Sequence, residues 1–101
     1  MRFGLEERHI NFILEVLNKN IAWNGASFYI FGSRTRGDFK EYSDIDIAID
    51  FAGKKAENSI IFKIKSDFEN STFPYEVDVV DLNSLDEKFY SVIKDDLYKI
   101  N

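Results

Sequence analysis

The chain has no cysteine, one histidine and one proline in 101 residues. Without cysteine, disulfides and thiolate metal sites are excluded. With a single histidine, nucleophilic schemes of the Ser–His or Cys–His type have no support, and His9, on the first helix and away from every motif, is expected to be structural. A basic excess is also missing: 13 Lys and Arg against 18 Asp and Glu give a net charge of −5. That is the wrong sign for neutralising nucleic-acid phosphates, so no direct nucleic-acid partner is expected. An acidic surface suits a basic partner or simply keeps the chain in solution. No apolar run is long enough to span a bilayer, and the segment from Met1 to Glu7 lacks the apolar core of a secretory signal. The expected location is therefore the cytoplasm, with no membrane partner.

What is present is an ordinary 45% of hydrophobic residues and an aromatic content of 16%, with ten Phe and five Tyr. Such rings fill a small core with few residues, or leave an apolar patch for a partner. The length suits one domain, residues 1–101, with no repeat, linker or low-complexity stretch. Ile10, Ile13, Leu14, Leu17 and Ile21 recur at the spacing of one buried helical stripe, which predicts a helix from Leu5 to about Asn20, stopped by an Asn24-Gly25 turn. Ser27 to Phe31 reads as a buried strand ending at Gly32, with a short helix opening after Gly32-Ser33. A second strand from Ile45 to Phe51 points Ile45, Ile47 and Ile49 at the core and Asp44, Asp46, Ala48 and Asp50 away from it. After a Gly53-Lys54-Lys55 loop, a helix from about Ala56 to Glu69 is closed by Ser71-Thr72-Phe73-Pro74. A third strand covers Glu76 to Leu82. Ser84-Leu85-Asp86-Glu87 matches a capping box opening a last helix, whose apolar face runs through Leu85, Phe89, Val92, Ile93, Leu97 and Ile100. The expected fold is α/β (α+β), a small mixed sheet of about three strands flanked by about four helices.

Chemistry concentrates in the middle of the chain. Gly32-Ser33-Arg34-Thr35-Arg36-Gly37 is a polar glycine turn just ahead of Ser43-Asp44-Ile45-Asp46-Ile47-Ala48-Ile49-Asp50. Asp44 and Asp46 point the same way from a strand, about 7 Å apart. Asp is a poor strand former and like charges repel, so the pair is either solvated at a strand edge or offset by a divalent cation. The sharp Ile alternation around it favours the cation. Asp78, inside the apolar third strand, is the natural third ligand if the two strands are neighbours; Glu76 shares its face and Asp81 does not. Gly32-Ser33 offers amides and a hydroxyl to a phosphate, or is an ordinary strand-to-helix turn. Arg36, rather than Arg34, is favoured to reach phosphate oxygens, although either suits a solvated surface. Ser43 either hydrogen-bonds a carboxylate or ends the loop. Lys54, Lys55, Lys63 and Lys65 read as a solvated face. The turn is not a Walker P-loop, because no Lys-Ser/Thr follows Gly37. The residues thus point to a Mg²⁺-dependent phosphoryl-transfer site.

Gly32-Ser33, ten residues, then Asp44-Ile45-Asp46 resembles the signature of the polymerase-β-type nucleotidyltransferase superfamily. Arg36-Gly37 and the Ser43–Ile49 stretch resemble its minimal members, the minimal nucleotidyltransferase (MNT) domains. The strand Val77-Asp78-Val79-Val80-Asp81 is similar to the one whose first Asp supplies that family's third metal ligand. The resemblance covers nearly the whole chain and implies a nucleotidyltransferase fold. It implies that Asp44, Asp46 and Asp78 are catalytic and bind one or two Mg²⁺ ions, with Asp78 helping to activate the acceptor oxygen. Gly32, Ser33, Arg36 and Ser43 would bind the nucleotide, with ATP as substrate.

Single-domain MNT proteins of this kind resemble antitoxins that pair with HEPN-domain RNase toxins. The implied function is a type VII-like antitoxin, an adenylyltransferase that moves AMP from ATP to a tyrosine of its cognate toxin, in a hetero-oligomeric complex, and silences it. Two alternatives stand beside it. One is an antitoxin that works by steric binding, with the last helix as its surface. The other is a nucleotidyltransferase acting on a small molecule or an RNA end.

Overall fold

A computed structural model describes residues 2–21, 25–54 and 56–101. Asn24 of the predicted turn and Lys55 of the predicted loop lie outside the described residues. Helix α1 (Glu7–Asn20) buries Ile10, Ile13, Val16 and Leu17, a stripe at helical spacing. Its first turn is closed by His9, whose Nδ1 accepts from the Glu6 amide at 3.2 Å; the imidazole also packs edge-on against Phe73 and Tyr75. That is the structural role expected of it.

Strand β1 (Ser27–Phe31) leads into the one-turn helix α2 (Ser33–Arg36), which β2 (Ile45–Asp50) follows. Helix α3 (Asn58–Glu69) then returns the chain to β3 (Val77–Asp81). The sheet order is β3-β2-β1, with β1 and β2 antiparallel and β2 and β3 parallel, the α3 crossover allowing the parallel pair. Ile45, Ile47 and Ile49 are fully buried with Phe28, Ile30 and Val79 under α1 and α3. Each such side chain contributes about 1.5–3 kcal/mol of burial.

Because side chains alternate along a strand, the opposite face carries Asp46 and Ala48 of β2 and Phe31 of β1. Helix α4 (Glu87–Ile93) covers part of that face, and Phe31, Ala48 and Ile93 form a second, smaller core there. The face is apolar where α4 lies on it and acidic at one end.

The C-terminal segment departs from the expected long helix. Ser84 does not cap α4: its hydroxyl donates to Asp81 Oδ2 at 2.7 Å, and Asp86 is the cap, accepting from the Phe89 amide at 2.8 Å. The helix ends at Ile93, a 3-10 turn spans Lys94–Asp96, and Tyr98–Lys99 forms a fourth strand, β4, antiparallel to β1. Spacing alone would keep Ile93, Leu97 and Ile100 on one helical stripe. The fold instead sends Ile93 and Leu97 to the small core and Ile100 to the large one, across the sheet edge. Among the described residues the sheet therefore has four strands, in the order β3-β2-β1-β4, where about three were expected.

Candidate active site

The parallel register puts Asp46 of β2 directly beside Asp78 of β3, and the antiparallel register puts Phe31 of β1 on the other side of Asp46. Gly32 therefore turns away from the sheet right next to Asp46. Its backbone (φ 83°, ψ −151°) lies in a region that is essentially reserved for glycine. A Cβ built there would stand 2.5 Å from Asp46 Oδ2. Glycine is required by conformation and by contact at once. Asp44 precedes β2, two residues before Asp46, and is exposed.

These three aspartates differ from most of the others. Among the described residues, none donates a hydrogen bond to or forms an ion pair with Asp44, Asp46 or Asp78. Every other aspartate except Asp95 has a partner: Asp38 and Asp96 pair with Arg36, Asp50 accepts from Gly53, and Asp67 accepts from Asn20 and Lys63. Asp81 and Asp86 accept from backbone amides. Half-burial raises the proton affinity of Asp46 above the ordinary carboxylate range. The charges of Asp78 and Asp44 raise it further, and Arg36 opposes them.

The donor set is hard oxygen with unspent acceptor capacity, which fits Mg²⁺. Among the described residues, no three acidic or histidine side chains converge into a ready-made ion cage. Mg²⁺ is ordinarily held by one or two carboxylates together with substrate phosphates, and an open carboxylate row matches that habit.

Ser33 opens α2 half-buried, its hydroxyl without a partner among the described residues. The Gly32 carbonyl closes the turn, accepting from the Thr35 amide at 3.1 Å and the Thr35 hydroxyl at 2.9 Å. Gly37 (φ 83°) ends it in the left-handed region. Arg36 lies at the surface, 2.9 Å from Asp96 and 3.5 Å from Asp38. Ser43 ends its loop, Oγ accepting from the Lys40 amide at 2.7 Å, so of the two readings of Ser43 the hydroxyl takes the local one. Arg34 is not at the surface: it is 2% exposed and holds backbone carbonyls. Nothing in the sequence marks it, rather than Arg36 two residues on, as the buried one.

Asp81, which faces away from this row, is spent on structure. It accepts from the Ala56 amide, the Asn83 amide and the Ser84 hydroxyl at 2.7–3.0 Å. A concavity of about 470 Å³ near α3 and the end of β3 is lined by Ile61, Phe62, Lys65, Val80 and Leu85 among others, and it touches none of the three carboxylates. The acidic row and that hollow are separate features of the surface.

Residues 11–98 match the family described as "Polymerase beta, Nucleotidyltransferase", and the chain belongs to that family. It is 33% identical over 72 residues to a probable protein adenylyltransferase, MntA, of Haemophilus influenzae, a match that covers 65% of this chain and 57% of that protein. The chain thus spans little more than half the length of that curated relative. Its fold is similar to a chain in the solved complex of a tri-AMPylated Shewanella oneidensis HEPN toxin with an MNT antitoxin, with a TM-score of 0.69 and 23% identity over 94% of this chain and 71% of that one. A toxin–antitoxin crystal structure with AMP-PNP has a chain that matches at TM-score 0.69 and 27% identity, over 89% of this chain and 70% of that one.

Proposed function

We propose that this chain is a Mg²⁺-dependent adenylyltransferase that moves AMP from ATP to a tyrosine hydroxyl of a HEPN-domain toxin and thereby neutralises it. The observation that carries the reading is the row of unpartnered carboxylates, Asp46 and Asp78 in register with Asp44 beside them, next to the Gly32-Ser33 turn. The likeness to an adenylyltransferase, and to chains in a toxin complex and an AMP-PNP complex, supports nucleotide and partner alike.

In this reading Asp44 and Asp46 would hold the Mg²⁺ ions beside the triphosphate, and Asp78 would lie nearest the acceptor oxygen. That oxygen attacks the α-phosphorus, the bond to the β-phosphate breaks, and diphosphate leaves. The acceptor's proton passes to Asp78 or to water. Bound Mg²⁺ would neutralise phosphate charge and lower the acceptor's pKa. The Gly32-Ser33 turn would present its free hydroxyl to the phosphates, and the positive charge of Arg36, which already acts on Asp46, would oppose theirs.

A second reading, neutralisation by binding alone, is favoured by one feature: Phe89, Tyr90 and Val92 stand exposed on α4, which shares the sheet face of the carboxylates. The two are separated by intact mass spectrometry of both chains after incubation of this protein with ATP, Mg²⁺ and the product of the adjacent gene. An AMP-sized gain on the partner, absent with Asp44→Asn/Asp46→Asn, is the expected result. A stable, neutralised complex with no mass gain would leave binding as the function.

A further inference from the structure

Arg34 is one of two buried charged residues among those described, and it has no carboxylate partner among them. Among the described residues, all of its hydrogen bonds go to main-chain carbonyls. Nε and Nη2 donate to Ser43 O at 3.2 and 2.8 Å, Nη2 also to Glu41 O at 3.2 Å, and Nη1 to Phe3 O at 2.8 Å. The guanidinium carbon lies 4.9 Å from the Phe39 ring centroid and 4.8 Å from that of Tyr75. Gly4 (φ +71°) closes over this group: a Cβ there would collide with the Phe39 ring and come within 3.1 Å of Nη1.

A buried cation without a counter-charge is expensive to desolvate, and burial does lower its proton affinity. A surface-seeking arginine so placed is kept for what it holds. Arg34 stands on α2, directly after Gly32-Ser33. The Ser43 carbonyl that it grips twice belongs to the residue before Asp44. Tyr75, against which it stacks, leads through Glu76 into β3, and the Glu76 carbonyl accepts from the Ile45 amide at 2.9 Å. One planar fork therefore ties together the three segments that carry Gly32-Ser33, Asp44 and Asp78. A lysine has neither the fork nor the plane to do so.

We propose that Arg34 is a positioning residue that sets Asp44 against Asp46 and Asp78 by fixing the Ser43 carbonyl. This rests on the reading of the aspartate row as a cation-binding site. The probe is Mn²⁺ alone, followed by electron paramagnetic resonance, with thermal melting recorded on the same samples. The variants are Arg34→Lys, Arg34→Ala, Asp44→Asn, Asp46→Asn and, as a core-destabilised control away from the loop, Ile64→Val. We expect Arg34→Lys to bind Mn²⁺ about tenfold or more weakly, the loss ordinary for a residue that orients a ligand. Ile64→Val is expected to melt lower with unchanged affinity. Guanidinium ion at millimolar concentration, far below denaturing levels, should restore Mn²⁺ binding to Arg34→Ala and not to Asp44→Asn.

If Asp44→Asn abolishes binding while folded Arg34→Lys binds as tightly as wild type, the positioning role is overturned and the site stands. If Arg34→Lys fails to fold, Arg34→Ala with and without guanidinium decides: no recovery of Mn²⁺ binding in refolded protein overturns the proposal. If Asp44→Asn and Asp46→Asn leave Mn²⁺ binding untouched, the cation-site reading itself fails.

Discussion

Asp46 Oδ2 occupies the space into which any side chain at Gly32 would grow, since a Cβ there would stand 2.5 Å from it. The turn and the strand carboxylate are thus one unit. Replacing Gly32 by Ala adds backbone strain of about 1–3 kcal/mol and pushes on Asp46 at the same time. Gly32→Ala is expected to melt lower and to lose AMP transfer. In an Asp46→Ala background the cost of Gly32→Ala should shrink to the strain alone, and equal costs in both backgrounds, read by denaturant unfolding, would show that the contact does not matter.

Asp46→Asn should abolish transfer and yet stabilise the metal-free protein. The folded state holds the Asp46 proton more tightly than the unfolded chain does, because burial and then Asp78 and Asp44 raise its proton affinity. Between the ordinary carboxylate value and the raised one, the folded form binds more protons, so stability falls as pH rises through that window and stays lower above it. The Asn variant lacks this loss. Melting in EDTA across that window should therefore show its advantage growing with pH, and an advantage independent of pH would count against the electrostatic origin.

Mg²⁺ should reverse that order. A cation that binds only the folded chain stabilises it by about 2.7 kcal/mol at a hundred times its Kd. Wild-type protein is expected to melt higher in Mg²⁺ than in EDTA, with no difference for Asp44→Asn/Asp46→Asn. A shift of equal size in both proteins would place the ion elsewhere.

Asp78 and Asp81, three residues apart on one strand, should behave oppositely. Asp81 satisfies two amides and a hydroxyl, so Asp81→Ala is expected to cost about 3 kcal/mol in urea unfolding. Asp78 satisfies nothing within the described residues, and Asp78→Asn should leave unfolding unchanged or slightly harder while transfer is lost. A large loss of stability in Asp78→Asn would mean that its carboxylate serves the fold.

Arg36 draws the proton affinity of Asp46 downward. Removing that positive charge in Arg36→Gln should shift the acid limb of the rate-against-pH profile to higher pH, besides lowering the rate. An unmoved limb would separate Arg36 from Asp46.

The sequence alone determined whatever local periodicity carries. Alternating Ile45, Ile47 and Ile49 defined a strand with one buried face, and therefore placed Asp46 on the other, since a pleated strand allows nothing else, with Asp44 just ahead of the strand. The stripe on α1 and the glycine turn after β1 were legible for the same reason. What tertiary structure decided was which distant pieces meet. The parallel register that sets Asp46 against Asp78, rather than one residue off, comes from packing Val79 beside Ile47 in the large core. Leu97 and Ile100 satisfy a helical spacing equally well, yet β1 offered an open edge. The Ile100 amide bonds the Phe28 carbonyl at 2.9 Å there, and a sheet edge supplies partners that no local pattern announces. Ser84 and Asp86 both had the chemistry of a cap; Asp81, three residues before Ser84 and held by the distant Ala56 amide, claimed the first. Arg34 and Arg36 are alike as letters. One is enclosed by Phe39, Tyr75 and three carbonyls and the other faces solvent, because only the folded chain brings those groups around a single side chain.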